Sequence, residues 1–274
     1  MSGLEGFGEH AEELRKRAVR AVLAVAIITT FILTFHIEPH QAAVGADGGT
    51  ITLYYPAPQP LDNIAAQITG HLRDALVPDT VQLIQTAPGE AFFAQIYIAA
   101  LVGVAASMPL IVREAAAFIR PALEEREIHV SRAISLPAIG LFATGCLFSY
   151  YMVVPYILDF LYRYGESAGL VTFLNVIDFV TFVLQFLIAF GISFQLPLAM
   201  YAATMSGMVS PDFWKRNARY AIVAIVIFGA VITPDGSGVT MWFIAAPMIA
   251  LYAAGTAFIM RRARTQSASP DATV

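Results

Sequence analysis

Six apolar runs recur along this chain, separated by short polar stretches, over residues 18–35, 91–112, 133–158, 176–205, 218–233 and 239–260. A membrane-spanning helix needs about 20 apolar residues. The pattern therefore predicts an all-α integral membrane protein with six transmembrane helices forming one domain over residues 1–264. The run at 18–35 follows Arg15, Lys16 and Arg17, as a cleaved secretory signal would. It is longer than a usual signal core and lacks a small-x-small site after it, so a retained first helix is expected.

Two runs depart from the ideal length. The fifth, 218–233, rises only about 24 Å at α-helical pitch, short of a hydrocarbon core of about 30 Å. Such a helix thins the nearby bilayer or relieves the mismatch by packing, and both readings stay open. The fourth run, 176–205, is longer than a span requires and must tilt or kink; Pro197 removes a backbone donor inside it. Pro109, Pro137, Pro155 and Pro247 also fall within or at the ends of runs. A bent bundle with a concave face is expected.

The longest polar interruption, 36–90, alternates like a short strand at Ile51 to Tyr55, and Pro56, Pro58 and Pro60 then stiffen an extended piece. Leu61, Ile64, Ala65, Ile68, Leu72, Ala75 and Leu76 follow at helical spacing, predicting an amphipathic helix over about 61–77 that lies on the membrane or caps the bundle. Gly70 weakens it slightly. The Ser-, Ala-, Thr- and Pro-containing tail, 265–274, is expected to be disordered. No internal repeat supports an inverted-repeat transporter.

Composition agrees with this architecture. Hydrophobic residues make up 58% and charged residues 13% of the chain, where about 25% charged is usual in a soluble domain. Mean hydropathy is +0.67. Fourteen of the 16 Lys and Arg residues fall in four clusters, Arg15 to Arg20, Arg113 to Arg132, Lys215 to Arg219 and Arg261 to Arg264, leaving only Arg73 and Arg163 elsewhere. Cytoplasmic loops collect Lys and Arg, and six spans put all four clusters on one side. Both termini are then cytoplasmic in a multi-pass protein of the cell membrane, and the opposite loops carry Glu38, Asp47, Asp62, Asp74, Asp79, Glu90, Asp159, Glu166 and Asp235. A net charge of −4 gives no global basic field for nucleic acid. The lone Cys146 supports neither a disulfide framework nor a metal site.

The chain carries no residue set for catalysis. His129 stands without an HExxH partner, Ser237 sits between two glycines in a turn, and no phosphate loop or dinucleotide fingerprint occurs. No cofactor is expected, and the protein is read as a non-enzyme. The basic side is more informative because it also carries Glu9, Glu12, Glu13, Glu124, Glu125 and Glu127. Topology explains the cations and not these acids. They are either solvated helix ends with internal ion pairs, such as Glu12 with Lys16 at i,i+4, or a carboxylate patch for a cationic ligand.

His10, Glu13, Leu14, Arg15 and Arg17 follow the pattern H-x-x-E-L-R-x-R, and Phe118, Pro121, Leu123 and Glu127 follow F-x-x-P-x-L-x-x-x-E. Gly191-Ile192-Ser193-Phe194 precedes Leu196-Pro197, Thr233-Pro234-Asp235 forms a tight turn between the last two runs, and Glu90 to Phe93 leads into the second run. Together, in this order over residues 10 to about 260, these motifs resemble the TatC family, the multi-spanning core subunits of the twin-arginine translocase. The resemblance implies a receptor for signal peptides with paired arginines. It implies assembly with TatA/TatB-type single-span subunits into a hetero-oligomer with several copies, within membrane lipid, that exports folded proteins on the proton gradient. It further implies that Glu13 and Glu127 receive the signal, with Phe118, Pro121 and Leu123 shaping the loop and Arg15 and Arg17 orienting the carboxylates. Gln195 departs from the family, many members of which carry Glu there. Gln cannot ionise, so a polar contact or local water defect is expected at that position rather than a proton relay. The competing reading is a small-solute transporter or channel, which requires ionisable or discontinuous midplane sites; only Gln195 and the prolines hint at one.

Overall fold

The computed structural model describes residues 2–44, 49–78, 81–119, 128–205, 207–233 and 238–267. Five helical stretches among them are long and apolar enough to cross a membrane: Glu12–Thr34, Glu90–Met108, Pro137–Ser167, Val176–Met205 and Gly238–Arg264. The apolar helix Ala218–Ile232 is shorter. The chain separates into two compact units, one made of Met1–Leu14, Met108–Leu161 and Gln185–Val274, the other of Arg15–Ser107 and Tyr162–Leu184.

The second unit takes in most of α1 (Ser2–Thr34), a hairpin of β1 (Phe35–Val44) and β2 (Gly49–Pro58), α2 (Ile64–Leu76), β3 (Gln82–Ile84) and the first part of α3 (Glu90–Ile119). Along α1, Val22, Leu23 and Ile27 are each more than half exposed, as a lipid-facing surface requires. Thr30 and Thr34 donate their hydroxyls to the carbonyls of Ala26 and Thr30, at 2.8 and 2.7 Å. Such back-bonding satisfies a hydroxyl without water. On the opposite side α1 meets α3 closely. A Cβ on Gly103 would lie 2.5 Å from Thr29 Oγ1 and 3.0 Å from the Val25 carbonyl oxygen. Small residues allow such approaches between membrane helices.

The described residues of the segment 36–90 hold more regular structure than the sequence suggested. The alternation at 51–55 belongs to β2, whose antiparallel partner β1 pairs Phe35 with Pro58 through Val44 with Gly49. Glu38 on β1 accepts from Tyr55 Oη at 2.9 Å and from Gln59 Nε2 at 2.7 Å. Donating to that carboxylate, and lying in its negative field, holds the Tyr55 phenol above the usual tyrosine range. The amide of Gln67 bonds to the Ile37 carbonyl and ties the hairpin to α2. The helix read over 61–77 is α2; its N-cap Asn63 accepts from Ala66 N at 2.9 Å. Ala65, Leu72 and Leu76 are buried, and Asn63 Nδ2 donates to Gln95 of α3 at 3.0 Å.

The remaining elements are α4 (Ile128–Phe148), a π-turn (Ser149–Val153), α5 (Val154–Ser167), β4 (Phe173–Asn175), α6 (Val176–Ser193), α7 (Leu196–Met205), α8 (Pro211–Arg216), α9 (Ala218–Ile232) and α10 (Gly238–Ser267). The third apolar run, expected over 133–158, continues as helix to Ser167. In the π-turn the Val154 N–H bonds to the Ser149 carbonyl, a widened turn just where Pro155 lacks a donor. The three-residue β3 and β4 form a parallel pair that the sequence did not announce. The fourth run is interrupted at Phe194 and Gln195, immediately before Pro197, where the Gln195 N–H bonds three residues back to Ile192.

In the first unit α4 and α6 interlock. A Cβ on Gly145 would lie 2.5 Å from the Phe190 carbonyl oxygen, and one on Gly191 would lie 2.7 Å from the Phe142 ring. A Cβ on Gly255 of α10 would come within 3.2 Å of Pro197 on α7. α10 runs to Ser267, beyond the 260 expected for the last span and into the tail read as disordered; residues 268–274 of that tail lie outside the described residues.

Candidate functional site

The N-terminal charged cluster of the sequence falls within α1. α1 carries Glu13, Arg15 and Arg17; Glu13 and Arg17 are half-buried and Arg15 is exposed. Glu13 and Arg17 are one helical turn apart, the spacing at which side chains share a face. Phe118 lies in the last turn of α3. Pro121, Leu123 and Glu127 lie outside the described residues, as do Pro234 and Asp235, read above as a tight turn.

One acid that sequence reasoning passed over is Glu114, within the second basic cluster. Its side chain is only 8% exposed and meets Arg113 Nη2 at 3.2 Å, while Arg113 itself is 65% exposed. Glu114 precedes Phe118 by one turn of α3, so a buried carboxylate and the loop-entry phenylalanine lie on one stripe of the helix. An acid in a basic cluster was the available signal.

A second set of polar groups anchors the start of α3. The Glu90 carboxylate accepts from Thr86 N at 2.7 Å, Thr86 Oγ1 at 2.8 Å and Asn175 Nδ2 at 3.0 Å. Asn175 Oδ1 in turn accepts from Ile177 N at 2.9 Å and so starts α6. Glu90 is thus a joint between two helix entrances.

Gln195 sits in the break between α6 and α7. Its Nε2 donates to the Ala138 carbonyl of α4 at 3.0 Å and lies 3.5 Å from the Gly191 carbonyl. An amide in this position bridges two helices through a neutral hydrogen bond.

The third and fourth basic clusters meet in the first unit. Trp214 Nε1 donates to Thr204 Oγ1 at 2.8 Å, and Tyr252 Oη donates to the Trp214 carbonyl at 2.6 Å. The short α8 is thereby held to α7 and α10. Arg262 stacks over Tyr201 at 5.2 Å, and Arg219 over Tyr220 at 4.7 Å. Among the described residues no group of three or more His, Cys, Asp or Glu is placed to hold a metal ion.

The family model described as Sec-independent protein translocase protein (TatC) matches residues 9–247. A Sec-independent protein translocase protein TatC from Cenarchaeum symbiosum (strain A) is 65% identical over 263 residues, covering 96% of this chain and 97% of its own length. The TatC of Aquifex aeolicus (strain VF5) is 36% identical over 173 residues, 63% of this chain and 71% of its own. The crystal structure named Twin Arginine Translocase Receptor- TatC superimposes with a TM-score of 0.73 at 27% identity, covering 93% of this chain and 99% of that one. This chain belongs to the Sec-independent protein translocase protein (TatC) family and is a multi-pass membrane protein of that family.

Proposed function

We propose that this protein is the receptor and core subunit of a twin-arginine translocase. The observation that carries the reading is its likeness, over nearly the whole length of both chains, to a crystal structure named as a twin-arginine translocase receptor. Glu13 and Glu127 receive the paired guanidinium groups of a signal peptide, Phe118, Pro121 and Leu123 shape the loop around them, and Arg15 and Arg17 orient the carboxylates. Bidentate pairing between guanidinium and carboxylate is strong and geometrically selective, and Lys lacks the planar fork.

The protein crosses the cell membrane six times with both termini cytoplasmic. Support comes from the four basic clusters, which six spans place on one face. α9 is the fifth of these spans despite its 15 residues, and its rise of about 22 Å thins the bilayer around it. TatA/TatB-type single-span subunits dock near α9 and α10, several copies assemble, and the complex exports folded cargo on the proton gradient. Gln195 contributes a neutral contact to α4 rather than a relayed proton, which its bond to Ala138 supports.

The test is binding of the full-length protein, in nanodiscs, to a signal peptide with paired arginines and to its paired-lysine twin. The expected result is at least about tenfold weaker binding of the lysine peptide, since charge-assisted hydrogen bonds contribute about 1.5–3 kcal/mol. Equal affinities would reject the receptor role.

A further inference from the structure

A cleft of about 500 Å³ opens between the start of α9 and the last half of α10. Its walls are apolar and its small residues keep it open: Ala218 and Ile222 on α9 face Ile249, Ala253 and Ala257 on α10. Its other end is cationic, lined by Lys215, Arg261 and Arg264. No aspartate or glutamate is among its lining residues. The nearby Arg219 and Arg262 stack on tyrosine rings and are not part of the lining. The cationic rim is also built rather than incidental. Tyr252, which lines the cleft and is 6% exposed, holds the Trp214 carbonyl, so the residue after it, Lys215, is fixed on α8 beside α10.

The geometry points to a binding site for one anionic phospholipid, its phosphodiester held by Lys215, Arg261 and Arg264 and an acyl chain lying along Ile222, Ala253 and Ile249. The order of the cleft, cations at the helix ends and hydrocarbon walls toward the span, is the order of charge and chain in a membrane lipid. Basic pockets between membrane helices near the headgroup level bind acidic lipid headgroups in this way. A phospholipid supplies anion and hydrocarbon in one molecule, and the single-span subunits that dock near α9 and α10 then meet those helices outside this cleft. The site goes beyond signal-peptide recognition and depends only on the chain being a membrane protein.

The experiment uses the full-length protein in a neutral detergent. Retention of dioleoyl phosphatidylglycerol is compared with that of dioleoyl phosphatidylcholine by native mass spectrometry. Wild-type protein is expected to retain the anionic lipid at least about tenfold better, each cation near the headgroup level adding to the attraction. The triple variant Lys215→Gln, Arg261→Gln, Arg264→Gln loses that preference, and Arg73→Gln, in the other unit, keeps it. Ala253→Leu, which fills the wall and leaves every charge in place, loses retention of the anionic lipid; it decides the matter if the triple variant does not fold. Soluble glycerol 3-phosphate at matched concentration fails to compete. Equal retention of the two lipids, an unchanged preference in the triple variant, unaltered retention in Ala253→Leu, or full competition by glycerol 3-phosphate would each overturn the proposal. Release of the lipid from wild-type protein by an added single-span partner subunit would overturn it too, assigning the cleft to a helix.

Discussion

Gly145→Val is expected to lower the thermal unfolding midpoint of the purified protein by several degrees and to reduce its yield sharply. The reason is backbone contact. A Cβ at this position would lie 2.5 Å from the Phe190 carbonyl oxygen, 2.9 Å from its carbon and 3.0 Å from Gly191 Cα. None of these atoms can rotate away, so α4 and α6 must separate. Overpacking typically costs about 1–3 kcal/mol when side chains can yield, and this site has none to yield. Separation would also withdraw Phe142 from Gly191 and lengthen the bond from Gln195 to Ala138, which joins the same helices. Gly140→Ala, five residues earlier on α4, is the matched control. Its Cβ would meet nothing within 4 Å, and alanine is favoured over glycine within a helix by about 1 kcal/mol. Thermal unfolding in detergent, read by loss of the monodisperse peak, separates the two. Gly145→Val behaving like Gly140→Ala would show that the helices do not meet as described.

The second large effect concerns the carboxylates proposed to receive the signal peptide. Glu13→Ala and Glu127→Ala are each expected to weaken binding of a paired-arginine peptide by about tenfold or more, since each removes a charge-assisted acceptor worth about 1.5–3 kcal/mol. Glu13→Gln is expected to be intermediate, because it retains one accepting oxygen and loses the charge. Peptide titration into nanodiscs checks this, with unfolding midpoints confirming that the variants are intact. Wild-type affinity in both alanine variants would leave the acids as ordinary solvated helix ends.

Hydrophobic patterning made the helices legible because membrane helices must satisfy their own backbone and expose apolar surface to lipid. The interruption of the fourth run was legible for a related reason: Pro197 removes a donor, and the break falls directly before it. The hairpin partner β1 was not. His36, Glu38 and His40 read as a polar loop, and only pairing with β2 makes that stretch a strand. Three-residue strands such as β3 and β4 carry no periodicity at all and exist because helix entrances meet near Glu90 and Asn175. The continuation of the third run to Ser167 was hidden because Asp159, Arg163 and Glu166 resemble a loop in composition while α5 buries only Val154, Ile157 and Leu158.

The proposed functional residues stood out by a different route. Glu13 with Arg15 and Arg17, and Phe118 with Pro121, Leu123 and Glu127, stood out only as ordered motifs resembling a family, since topology accounts for the cations alone. Glu114 was missed because an acid beside Arg113 looks like a surface ion pair; only its burial sets it apart. The cleft under Lys215, Arg261 and Arg264 was invisible for want of any sequence rule that brings positions 215 and 261 together.

The central claim is that two carboxylates recognise two arginines, and a double-mutant cycle tests it most directly. Affinities are measured for wild type and for Glu13→Ala and Glu127→Ala, each with the paired-arginine peptide and its paired-lysine twin. The account predicts coupling: in each single variant, replacing arginine by lysine changes affinity less than it does in wild type, leaving an interaction energy of about 0.5–3 kcal/mol. Purely additive losses, with the lysine peptide discriminated against as strongly in both variants as in wild type, would contradict it.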